Sequence, residues 1–195
     1  MGDMIVEPPL SSALNRHKLT VEDLYRMVAA GVLREEDRVE LIDGELIDMA
    51  PIGPLHQGTV DLLTRLFARG IAANIVRVQG PIVIAPRTQL QPDLSILKER
   101  KDFYRRTPAR PEDCLLVIEV ADSTVKIDRE EKIPRYGKAG VPESWLLDLE
   151  TKALFIFTGP GASGYRRMVR PEHSERVSPA LLPEISVQVA ELFEG

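Results

Sequence analysis

The sequence predicts an α/β (α+β) fold: a mixed central sheet flanked by helices and preceded by an N-terminal helix and hairpin. Three observations carry this reading. Several runs of strand length are rich in Val, Ile, Leu and aromatics, one long segment repeats its apolar residues near a 3.6 period, and RVELIDGELIDM holds Asp-Gly between two β-rich arms. With 195 residues, 44% apolar and 28% charged, the chain can bury one sizeable core and is short for two. Residues 1–18, aperiodic and containing Pro and Ser, read as a loose N-terminal arm, and 19–195 as a single domain.

In chain order, Thr20 and Asp23 form a capping-box pattern. Val21, Leu24, Met27 and Val28 follow at helical spacing, and Gly31 supplies a stop. The hairpin turns at Asp43-Gly44, a dipeptide suited to two left-handed φ values, and its arms carry Glu40, Asp43, Glu45 and Asp48. From about Leu55 to Ala73, starting near His56, the apolar positions Val60, Leu63, Leu66, Phe67 and Ile71 define an amphipathic helix whose stripe must lie on a sheet. VRVQGPIVIA, DLSIL, CLLVIEVA, SWLLDL and ALFIFTG supply that sheet. DREEKIPRYGKAG reads as a short helix with Asp128 near its N-cap and Gly137 or Gly140 near its end, weakened in the middle by Pro134. After a TGPGASG turn, YRRMV and PEISVQVAELF suggest a further strand and a last helical turn.

Composition narrows the function. A formal net charge of −5 argues against a chain that coats DNA nonspecifically, because phosphate neutralisation is the task of Lys and Arg. A local basic run, Lys98, Arg100, Lys101, Arg105, Arg106 and Arg110, reads first as a solvated loop and second as a nucleic-acid track. No run approaches the roughly 18 apolar residues of a membrane span, and the opening segment has neither a basic nor an apolar signal region. The expected location is the cytoplasm. The one cysteine, Cys114, opens an apolar run and reads as a buried structural thiol.

Chemistry concentrates in three places: Asp93 after Pro92 at the head of one strand, Glu119 inside another, and Lys132 with Tyr136 on the following helix. Glu119 is the sharpest anomaly, since a carboxylate inside LLVIEVA needs a cation, and a metal ion or Lys132 are the candidates. A hard divalent ion such as Mg²⁺ or Mn²⁺ takes oxygen ligands, commonly one or two carboxylates completed by water and phosphate. Asp93 and Glu119, helped by the backbone carbonyl of Val120, meet that demand, and Lys132 would orient the nucleophile or stabilise developing charge.

The ordered set VELIDGEL, His56, QPDLSIL, LVIEVADST, the K-x-x-x-Y pair Lys132 and Tyr136, Gly140-Val141 and ESWLLDL resembles the PD-(D/E)XK nuclease superfamily. Within it, the set resembles the Uma-type bacterial restriction-endonuclease family, from about Thr20 to Phe157. The resemblance implies a restriction-endonuclease-like fold and a Mg²⁺- or Mn²⁺-dependent DNA endonuclease, acting as a homodimer. Its metal ligands would be Asp93 and Glu119, and its catalytic lysine Lys132. One departure stands out: the superfamily places lysine two residues after the glutamate, and here that position is Ala121. Lys132 can serve only if its helix docks over the strand end.

The superfamily's further acid has two candidates, Glu40 and Glu45. Glu40 is favoured as a second-metal or water-binding acid against a solvated hairpin residue. His56 reads as a cap or hydrogen bonder before a base, and Tyr136 as a phosphate contact or a packing residue. The alternative function is a nuclease-like domain that binds nucleic acid or a partner without catalysis. The plainest alternative for the site is a structural ion pair of Glu119 with Lys132, Lys126 or an arginine, with Asp93 merely beginning its strand.

Overall fold

The computed structural model describes residues 16–34, 36–70, 73–122 and 124–194; most of the expected N-terminal arm, and Ile71 of the expected helix stripe, lie outside them. Helix α1 (Val21–Ala29) begins at a complete Thr20/Asp23 capping box and ends before Gly31, whose φ of 70° suits a residue without Cβ. Strands β1 (Val39–Ile42) and β2 (Glu45–Asp48) form the hairpin, with Asp43 and Gly44 both at positive φ. A Cβ at Gly44 would stand 2.7 Å from Lys18 Cβ, so the turn needs glycine for space as well as for φ.

Helix α2 (Pro54–Gly70) is followed by β3 (Ile75–Val78), β4 (Ile82–Ala85), β5 (Thr88–Leu90), β6 (Leu94–Leu97) and β7 (Cys114–Ala121). Then come α3 (Val125–Ile127), a π turn over Asp128–Lys132, and α4 (Ile133–Ala139). Strands β8 (Glu143–Asp148), β9 (Ala153–Gly161), β10 (Gly164–Val169), β11 (Arg176–Val177) and β12 (Val187–Gln188) precede a short 3₁₀ turn, Ala190–Leu192.

The described residues form three sheets. The largest runs β10-β9-β8-β7-β6-β3, with β7 and β8 parallel and every other neighbour antiparallel. β7 and β8, buried along almost their whole length, take its centre, and the more exposed β3 and β10 its edges. A second sheet runs β2-β1-β5-β4, and β11 pairs with β12. Among the described residues no helix is long and apolar enough to cross a membrane.

Three expectations need correction. VRVQGPIVIA is two strands in two different sheets, because Gln79 at positive φ and Gly80-Pro81 turn the chain between them. The expected turn TGPGASG begins too early: β9 continues through Gly161, where Gly161 faces Gly164. The helix after β7 starts at Val125, so Asp128 lies inside it and accepts a hydrogen bond from Thr124 Oγ1 at 2.6 Å. Pro134 does not break this segment. It follows the π turn at the start of α4, where a missing N–H is tolerated, and Gly140 at φ 91° ends the helix. Gly137 serves instead for close approach, since a Cβ there would lie 2.6 Å from the Tyr165 amide nitrogen of β10.

The two faces of β7 separate the cores. Leu116, Ile118 and Val120 meet Val60, Leu63 and Phe67 of α2, with Trp145 beneath; Val117 and Ala121 meet Ile133 and Tyr136 beneath α4. Glu119 alternates onto the second face.

Candidate functional site

The register of β6 against β7 sets Leu94 opposite Ile118, so Asp93, one residue before β6, lies beside Glu119. Asp93 Oδ2 accepts the Val120 amide at 2.9 Å, and its Oδ1 lies 3.2 Å from His56 Nε2 on α2. On the other face of β7 the π turn delivers Lys132. Its Nζ donates to Glu119 Oε2 at 2.9 Å and stands 3.3 Å from Asp128 Oδ1 and 3.4 Å from Glu40 Oε1. Tyr136, one turn further on, donates its hydroxyl to Glu119 Oε1 at 2.7 Å. Glu40 arrives from β1 of the smaller sheet and accepts the Gln91 amide at 2.6 Å. The helix thus docks over β7 and brings Lys132 to Glu119.

Glu40, Asp93, Glu119, Asp128 and Lys132 are each no more than 8% exposed. Burial pushes the Glu119 carboxyl well above the ordinary range, with Lys132 pulling the other way, and it raises Glu40 in the same manner. Burial also works against charge on Lys132, but Glu119, Glu40 and Asp128 outweigh it and hold the ammonium above its usual value. Asp93 is likewise penalised by burial, yet hydrogen bonds from His56 and Val120 leave its carboxyl below the usual range; Asp93 in turn raises His56. We read Lys132 as charged. Three buried carboxylates around one ammonium retain surplus negative charge, which only a further cation or proton can relieve.

Glu40, Asp93, Glu119, Val120, Asp128, His56 and Lys132 all line one cavity of about 330 Å³, together with the segment from Met49 to Gly53. Tyr136 is fully buried behind Glu119. Glu45 is not brought in: it is exposed and pairs with Lys18 at 2.6 Å. Asp128 was legible only as a helix cap. Its spacing of four from Lys132, one helical turn, is the signal that would have found it.

Within the basic run, Lys98 and Arg100 have side-chain partners, while Lys101, Arg105, Arg106 and Arg110 are exposed. Arg100 grips Asp102 and Thr107 and stacks on the Tyr104 ring at 3.7 Å, with Arg77 also beside that ring at 5.0 Å. Cys114 is buried, which pushes its thiol up to about 12 and removes it as a nucleophile.

The donor set fits a hard cation: buried carboxylate oxygens in excess of buried positive charge, opening on a cavity. Among the described residues no three His, Cys, Asp or Glu side chains stand close enough to form a ready-made cage. An ion held by one or two carboxylates with water needs none.

No curated protein matches the chain. Among solved structures, it is similar to the crystal structure of a putative nuclease belonging to DUF820 from Anabaena variabilis, with TM-score 0.69 at 15% identity over 90% of this chain and 97% of that one. That likeness bears out the mixed α+β, restriction-endonuclease-like fold expected from the sequence. The family model described as Uma2, putative restriction endonuclease, matches residues 21–190, nearly the whole described chain, and the chain belongs to that family.

Proposed function

We propose that this chain is a divalent-metal-dependent endonuclease that hydrolyses DNA phosphodiester bonds, as a single nuclease-like domain over residues 19–195 that works as a homodimer. The observation that carries the reading is the buried carboxylate surplus around Lys132, opening on the cavity that also holds Asp93. Asp93, Glu119 and the Val120 carbonyl would hold Mg²⁺ or Mn²⁺, with Glu40 as the further acid. When bound, such an ion supplies Lewis-acid polarisation of the phosphate and a more acidic water.

The remaining work belongs to the chain. Lys132, freed from part of its carboxylate shell, orients the attacking water and offsets charge developing on the phosphate. Tyr136 and the Val120 amide hold the Glu119 and Asp93 carboxylates in place, and His56 fixes Asp93 from the opposite face. The apolar core beneath α2 fixes the strand ends that carry both acids.

One observation favours the second reading, a catalytically inactive nuclease-like binding domain. Both Glu119 oxygens, and both of Asp93, already have protein partners. The deciding experiment is cleavage of supercoiled, linear and single-stranded DNA with Mg²⁺ or Mn²⁺ against EDTA, alongside calorimetric metal titration. Metal-dependent cutting by the wild type, lost in Asp93→Ala, Glu119→Ala and Lys132→Ala, supports the endonuclease. A wild type that binds neither metal nor DNA leaves the carboxylate cluster with a structural role.

A further inference from the structure

The face of the large sheet that carries Glu119 continues outward across β8 to β9. Glu119 is in register with Leu146, and Leu146 with Phe155, so the three residues lie in one row on the α4 side. Two strand spacings put the Phe155 backbone about 10 Å from that of Glu119. Two guanidinium groups lie over the Phe155 ring: Arg129, from the same π turn as Lys132, with Cζ 5.1 Å from the ring centroid, and Arg170, just past β10, at 5.8 Å. Both residues are exposed.

Two like charges over one ring repel each other, and the usual relief is a carboxylate between them. Among the described residues neither arginine forms an ion pair; of the acids on the turn, Asp128 faces Lys132 at 3.3 Å and Glu131 is taken by Arg135 at 2.7 Å. Among the described residues, the one side-chain hydrogen bond of Arg129 goes to the Met168 sulfur at 3.8 Å. A guanidinium over an aromatic face is held by cation–π attraction without using up its N–H donors, the arrangement that suits a phosphate. Arg166 and Arg167 on β10 add positive charge to the same edge of the sheet.

We propose that Arg129 and Arg170 form a phosphate clamp, separate from the carboxylate cavity, that seats a backbone phosphate of the nucleic acid flanking the one to be cut. This rests on the DNA-hydrolase reading and adds the residues that hold the strand. Arg129 is three residues from Lys132, so the same turn would couple strand seating to the position of the lysine.

The test is fluorescence anisotropy of a labelled DNA duplex with the full chain in EDTA over a series of salt concentrations, where cleavage plays no part. The pair Arg129→Ala with Arg170→Ala is expected to weaken binding about ten- to hundredfold and to lower the salt slope by about 0.9 in magnitude, one phosphate's worth. Removing two arginines from the opposite face, Arg65→Ala with Arg69→Ala, is the control for lost charge. An equal loss in that control overturns the clamp, as does an unchanged affinity and slope in the test pair. Circular dichroism melting establishes that both pairs remain folded, and Arg129→Lys with Arg170→Lys, which keeps the charge, is expected to recover the slope but only part of the affinity. A wild type that cuts DNA with metal yet shows no duplex binding in EDTA also overturns the clamp while leaving the hydrolase reading standing.

Discussion

The two faces of β7 use one strand for opposite purposes. Toward α2, Leu116, Ile118 and Val120 join Phe67 and Trp145 in an apolar layer, where the Trp145 indole N–H donates to Glu143 and the ring pair meets edge to face with centroids 6.1 Å apart. Toward α4, the same strand buries Glu119 against Lys132 and Tyr136, with Glu40 and Asp128 close by. The first face gains stability from every contact. The second spends burial on charges that hydrophobic residues of the same volume would replace at little cost or with a gain. Alternation along a single strand therefore lets a rigid scaffold and a polar site share one backbone.

Crossing the two faces by mutation gives the sharpest separation. Glu119→Gln is expected to lower metal-dependent cleavage about a thousandfold or more, the several kcal/mol that a metal ligand supplies, with the fold retained. A Glu119→Gln enzyme that still cuts at wild-type rate would merge the two faces into one structural core. On the α2 side, Phe67→Ala is expected to cost about 3–5 kcal/mol in urea unfolding while calorimetric metal affinity stays as in the wild type.

Lys132→Ala should destabilise by a similar amount, about 3–5 kcal/mol, because it strands buried carboxylates. Lys132→Met combined with Glu119→Gln should recover most of that loss. If the double variant is no more stable than Lys132→Ala, the charges are not what the cluster's stability depends on.

The pH dependence has a definite sign. Glu119 and Glu40 have folded-state values raised by burial, so protons compete with a cation for them and the metal-free fold gains from protonation. Stability from this source is present below the ordinary glutamate range and is lost as pH rises through the raised values. The rise in melting temperature on adding Mg²⁺ should therefore grow with pH across that window, as read by calorimetry against EDTA. A shift independent of pH would show that these carboxylates are not the ligands.

The smallest effect belongs to the surface. Arg135 bridges Asp43 at 2.5 Å and Glu131 at 2.7 Å, tying α4 to the hairpin turn. Asp43→Ala is expected to cost no more than about 1 kcal/mol in urea unfolding, the range of exposed pairs.

How much of this was legible depends on whether the signal was local. The capping box at Thr20, the Asp43-Gly44 turn and the α2 stripe were readable because each depends on residues within a few positions. So was Glu119, since a charge inside an apolar run is visible without the fold. The division of VRVQGPIVIA between two sheets was less so, and β5 went unseen, because its residues Thr-Gln-Leu show no apolar alternation and pair only through β1 and β4.

By itself the sequence determined the element types, the anomaly at Glu119 and the family, since periodicity, turn chemistry and motif order are properties of the chain. Only the tertiary structure decided which acids meet Lys132. Glu40 comes from 79 residues before Glu119 and Asp128 from nine after it, and Glu45, five residues beyond Glu40, stays outside. The physical reason is that a side chain in a strand alternates faces with every residue, while sheet pairing and helix docking, both long-range, determine which face meets the lysine.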